Sequence, residues 1–193
     1  MSDSGADACP RRIFLFSGHM IDAPGRKVPR FPAQNEAVVT RAIANVLDTL
    51  NAGPADLAIC GGACGGDLIF AEAALARGVH LDIYIPFDEP TFFAQSVDFA
   101  GLNWRARFEA VKANARLHVL PEVQPPPGEG TAHERNNTRM LDAASRFGAG
   151  KLELIALWDG QEGDGPGGTS HLVAQVRRIG GRLRWIDPLQ PGT

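Results

Sequence analysis

Cysteine, tyrosine and methionine are scarce, with three Cys, one Tyr and three Met in 193 residues. Three unevenly spaced cysteines (Cys9, Cys60 and Cys64) exclude a disulfide framework. A second Cys or His pair at zinc-ligand spacing is missing too. Cys60 and Cys64 therefore read as small residues packed beside a tight turn, in preference to a metal or redox pair. No apolar run reaches the roughly 18 to 20 residues of a membrane span, and the acidic, polar start is unlike a secretion signal, so a cytoplasmic protein with no membrane partner is expected. Excess positive charge is also lacking. A formal charge of -3 with 21% charged residues gives no general attraction to nucleic acid, so any anion must be bound by a local arrangement. No internal repeat is long enough to suggest duplication.

Glycine, by contrast, is plentiful at 22 residues, and it is concentrated where strands give way to helices. Cys60-Gly61-Gly62-Ala63-Cys64-Gly65-Gly66-Asp67 lies between the apolar run Leu57-Ala58-Ile59 and the helix-like stretch that opens at Leu68. A strand that ends in glycines and restarts as a helix leaves bare N–H groups at the positive helix end, with no Cβ to keep a ligand away. A similar layout closes the chain: Leu154-Ile155-Ala156-Leu157-Trp158 runs into Asp159-Gly160, then residues 163–170, before the apolar spacing of Leu172, Val173 and Val176. Two such bends suggest one anionic ligand held from two sides.

Residues 1–10 read as a disordered leader and residues 11–189 as one domain. Short apolar runs at 12–16, 57–60, 81–86, 117–121 and 152–158 have the continuous character of strands buried on both faces of a parallel sheet, and residues 182–187 suit a last edge strand. Helical spacing covers 33–50, 68–77, 102–113, 133–147 and 170–179, with a shorter helix near 90–95. The 68–77 helix is apolar nearly all round and should be well buried. Strands alternating with helices over short connections predict an α/β fold, a Rossmann-like three-layer sandwich with a mainly parallel central sheet. Proline-rich segments at 21–32 and 124–130 read as loops, the first carrying Arg26, Lys27 and Arg30 near a strand end.

Ligands of open α/β sheets sit beyond the carboxyl ends of the strands, where strand order reverses. Ser17-Gly18-His19, residues 61–67 and residues 159–169 should therefore converge on one cleft. Gly62, Gly65, Gly66, Gly167, Gly168 and Thr169 are the candidate phosphate binders, with Ser17, Gly18, His19 and Asp159 beside them. Asp67 would repel a phosphate, so it caps its helix or accepts hydrogen bonds from a ribose. Glu72, on an otherwise apolar helix, pairs with a cation or carries a raised pKa for a task. Glu134 can act as an acid or base and Arg135 as a phosphate clamp. Nothing in the pattern calls for a resident metal or cofactor.

These pieces together resemble the SLOG superfamily, the Rossmann-like group that includes the LONELY GUY phosphoribohydrolases and the lysine decarboxylase-like proteins. The likeness rests on Ser17-Gly18, on Gly61 to Leu68 with Glu72 to Gly78, on Ile85-Pro86, on the helix from Glu134 to Met140, and on Trp158-Asp159-Gly160 with Gly167-Gly168-Thr169. It implies a nucleotide-binding fold and a homodimer. The family's enzymes resemble one another in an Arg-Lys-x-x-Met helix and a Pro-Gly-Gly-x-Gly-Thr-x-x-Glu loop. Arg135 matches the arginine, but Asn136 replaces the lysine, Met140 lies one residue too far along, and the loop is one glycine short with no acid at the glutamate position.

The reading that follows is a binding domain for a nucleotide or nucleotide-derived molecule, such as a nucleoside phosphate or ADP-ribose relative, used as a sensor. Two alternatives stand beside it. One is an N-glycosidase on nucleoside monophosphates with Glu134, Arg135 or Glu72 in catalysis, and the other is a non-catalytic dimerisation scaffold.

Overall fold

The computed structural model describes residues 9–121, 130–161 and 168–190. Residues 1–8 of the leader expected at 1–10, most of the proline-rich segment at 124–130, and Gly167 with the rest of 162–167 lie outside the described residues. Six strands alternate with six helices among the described residues: β1 (Ile13–Gly18), α1 (Glu36–Thr49), β2 (Leu57–Cys60), α2 (Gly66–Leu75), β3 (His80–Ile85), α3 (Glu89–Ser96), α4 (Leu102–Lys112), β4 (Arg116–Val119), α5 (Ala132–Ser145), β5 (Leu152–Leu157), α6 (Thr169–Arg178) and β6 (Arg182–Ile186). The strands form one sheet in the order β4-β3-β2-β1-β5-β6, and every pairing is parallel.

Period-two alternation along the strands builds two cores, one on each sheet face. Phe14 and Phe16 of β1, with Ala58, Cys60, Ile83 and Ile85, pack against α1, α2, α3 and α4. Ile13 and Leu15, with Ile59, Leu154 and Ala156, pack against α5 and α6. Buried on both sides, β5 has no exposed position, which is why its sequence is apolar without alternation. Its one charge, Glu153, is paired by Arg182 and Arg184 of the edge strand β6. The nearly all-apolar α2 lies under α1 and α4, and its Phe70 stacks on Phe16 at 4.8 Å between ring centroids. Each such ring contributes about 1.5–3 kcal/mol through burial.

Strand order reverses at one place. The chain runs outward from β1 through β2 and β3 to β4, then returns to lay β5 on the other side of β1. The seam between β1 and β5 is the topological switch point, and a crevice opens beyond its carboxyl end.

Candidate functional site

A cavity of about 570 Å³ occupies that crevice, within the size range of small-molecule sites. Its lining comes from both halves of the chain: Ser17, Gly18 and His19 at the end of β1, Gly61, Ala63 and Asp67 at the first bend, Asn136 and Met140 on α5, and Trp158, Gly168 and Thr169 after β5. Phe92, Pro86 and Met140 add apolar wall. Across the seam the Ser17 and Thr169 hydroxyls meet at 3.0 Å, although 152 residues separate them. Thr169 opens α6, so the positive end of that helix and its leading amides lie beside this hydroxyl pair.

The first bend is built differently from the amide cradle that its glycines suggest. Asp67 turns back into the loop, where its carboxylate accepts from the Gly61 N–H at 3.3 Å and from the Ala63 N–H. The nest thus already holds a negative group belonging to the protein. The Gly66 N–H donates to the His19 carbonyl at 3.1 Å. Gly62, Gly65 and Gly66 are not among the cavity-lining residues. Gly65 serves a close approach instead: it has φ +91°, and a Cβ there would stand 2.5 Å from the Ile21 backbone nitrogen. Burial pushes the Asp67 carboxyl up to about 7, against the two amides that lower it.

His19 links the bends. The Asp159 N–H donates to His19 Nε2 at 3.3 Å, and Asp159 Oδ1 lies 3.2 Å from the same nitrogen. The two contacts belong to different protonation states: a neutral ring accepts from the amide, and a protonated ring donates to the carboxylate. Burial lowers the His19 pKa against the raising effect of Asp159, which favours the neutral form. Burial raises the Asp159 pKa, but the Gln161 N–H, His19 and Arg30 outweigh it and hold the carboxyl below the usual range. Asp159 is a positioning group for His19 and does not itself line the cavity.

None of the three residues expected in catalysis is among those lining the cavity, although Glu134 and Arg135 stand between His133 and Asn136, which are. Glu134 Oε2 accepts from the Thr131 N–H while the Thr131 hydroxyl accepts from the Glu134 N–H, a capping box that starts α5. Arg135 donates to the Gly130 carbonyl at 3.0 Å. Glu72 is gripped by Arg107, both Nε and Nη2 donating at 2.7 Å, with Glu36 on the same guanidinium. That ion pair is on the outer surface of α2 and α4, so the pairing role of Glu72 is the one the geometry displays. Cys60 and Cys64 are buried thiols; burial raises both pKa values, that of Cys64 to about 12. Among the described residues no group of three or more His, Cys, Asp or Glu is placed to hold a metal ion, and no helix is long and apolar enough to cross a membrane.

Asn136 is a buried polar cavity residue that spacing alone did not single out. It is 4% exposed, its Nδ2 donates to the Tyr84 carbonyl at 2.7 Å, and its Oδ1 has no partner among the described residues. The available signal was a polar residue on the inward stripe of α5 shared with Met140 and Ala144.

No protein-family model and no curated protein matches the chain. Among solved structures it is similar to DNA processing protein A (DprA) from Streptococcus pneumoniae, with a TM-score of 0.51 and 17% sequence identity over 95% of this chain and 54% of that one. The chain thus spans about half the length of that neighbour. At this identity the likeness shows a shared Rossmann-like α/β fold.

Proposed function

We propose that the crevice at the β1/β5 seam binds a nucleotide or nucleotide-derived small molecule, a nucleoside phosphate or ADP-ribose relative, and that the chain is a SLOG-type binding domain. The observation that carries this reading is the Ser17–Thr169 hydroxyl pair at the start of α6, inside a cavity shared with the first bend. Hydroxyls and leading helix amides suit a phosphate there. Apolar wall from Phe92, Pro86 and Met140 suits the flat face of a base.

The test is a melting-temperature screen of the full chain against nucleoside mono- and diphosphates and ADP-ribose. A ligand at 100 times its Kd adds about 2.7 kcal/mol, a rise of about 5–10 °C for a chain of this size. Thr169→Ala should weaken the hit by about tenfold through loss of a charge-assisted hydrogen bond. A flat screen defeats the proposal. The similar solved structure is a DNA processing protein, so a single-stranded oligonucleotide belongs in the same screen; the formal charge of -3 argues against it.

One observation favours a second reading, hydrolysis of an N-glycosidic bond. Asp67 is a buried carboxyl with a pKa of about 7 in the wall of the same cavity, the kind of group acid–base chemistry uses. Free base released from the monophosphates during the screen, and lost in Asp67→Asn, would establish it.

A further inference from the structure

The strand order separates the polar groups of the cleft into two ends. Ser17 and Thr169 lie over the β1/β5 seam. Asp67 reaches back to Gly61 just beyond β2, and Asn136 is tied to the Tyr84 carbonyl on β3. One strand spacing separates β1 from β2 and two separate it from β3, about 5 and 10 Å, so Asp67 and Asn136 lie stepwise farther along the crevice from Ser17, on the scale of a nucleoside.

The chemistry of the two ends differs. At the seam there are hydroxyls, which donate or accept, and the positive end of α6. At the β2/β3 end Asp67 and Asn136 offer acceptors. The Asp67 carboxylate is almost fully buried and keeps lone pairs beyond the two amides it engages. The Asn136 amide cannot turn over without losing its bond to Tyr84, so Oδ1 stays the acceptor, and that oxygen is buried with no partner among the described residues. A buried acceptor without a donor costs roughly 1–3 kcal/mol, and a ligand group that supplies the donor recovers it.

Resting on the nucleotide reading above, we infer that Asp67 and Asn136 form a donor-recognising end of the cleft, which takes the hydroxyl or amino groups of the ligand while its anionic group lies at Ser17 and Thr169. The ligand class is then narrower than phosphate-bearing molecules at large. It requires an O–H or N–H donor at the end remote from the phosphate, and a bare phosphate does not satisfy the site.

Isothermal titration of the full chain with adenosine 5′-monophosphate, purine riboside 5′-monophosphate and 2′,3′-dideoxyadenosine 5′-monophosphate, with inorganic phosphate as a fourth probe, decides the matter. The adenosine compound should bind at least tenfold more tightly than one of the two donor-deleted analogues, and phosphate weakest of all. Loss with the dideoxy compound assigns the ribose hydroxyls; loss with the purine riboside compound assigns the amino group. Asp67→Asn or Asn136→Ala should erase the discrimination. Equal affinities for the three nucleotides in the wild-type chain overturn the inference, and this comparison stands even where a variant fails to fold. Discrimination that persists in both variants overturns it as well. If none of the three binds while other nucleotides still raise the melting temperature, this inference falls and the nucleotide reading survives. A silent panel removes both.

Discussion

Asp67 couples the candidate site to stability. Its carboxyl is raised from 3.8 in the unfolded chain to about 7 in the fold, so between those values the native state holds the proton more tightly. The stabilisation is therefore complete at low pH and is lost as pH rises from about 4 to about 7, by about 4 kcal/mol at most. His19 has the opposite sign. Its pKa is lowered by burial, so its contribution is present above about 6.5 and is lost as pH falls below that. Urea unfolding between pH 5 and pH 8 should show wild-type stability declining with pH. In Asp67→Asn the slope should flatten or reverse, because only the histidine effect remains. A wild-type curve that climbs steadily from pH 5 to pH 8 would refute the buried-acid account. At this scale the sequence was only partly legible. Ser17, Gly18, His19, Asp67, Gly168 and Thr169 follow from their place at strand ends and line the cavity, whereas Gly62, Gly65, Gly66 and Asp159, in the same bends, do not. Glu72 and Glu134 were chosen for their chemistry alone, and a side chain's type does not reveal which way it faces: Arg107 and the Thr131 cap claim them.

The elements form where periodicity places them, because each bears an apolar run or stripe that only a sheet face can cover. What periodicity misses is the job of each glycine at the junctions. The glycine-rich bend before α2 reads as a phosphate cradle, yet Gly65 exists to let the loop at Met20 and Ile21 pass over the helix start. Gly148, before β5, has nearly the same φ of +92° with open space around its Cβ position. The comparison separates the two costs. Gly148→Ala should lose about 1 kcal/mol from backbone strain alone. Gly65→Ala should lose about 2–4 kcal/mol, since strain adds to a clash with main chain that cannot rotate away. Urea midpoints at one pH check both, and equal losses would mean that the loop yields freely.

At the scale of the whole molecule, one sheet with β1 near its centre ties the two halves of the chain together, for β1 pairs with β2 over Ile13 to Leu15 and with β5 along its whole length. Unfolding should be a single transition. Trp104 on α4 reports the β2–β4 side, Trp158 and Trp185 report the β5–β6 side, and far-ultraviolet circular dichroism reports the helices. The fluorescence and dichroism curves should coincide, and two separated midpoints would show that the halves fold apart. The sequence by itself determined the alternation of strands and helices, the apolar faces and the positions of the bends, because these depend on neighbours within a few residues along the chain. Tertiary structure alone decided that β5 inserts beside β1, that Ser17 meets Thr169, and that Asp67 fills the first nest. Each of those depends on which distant segments win a place against the same buried surface, and local spacing carries no record of that contest.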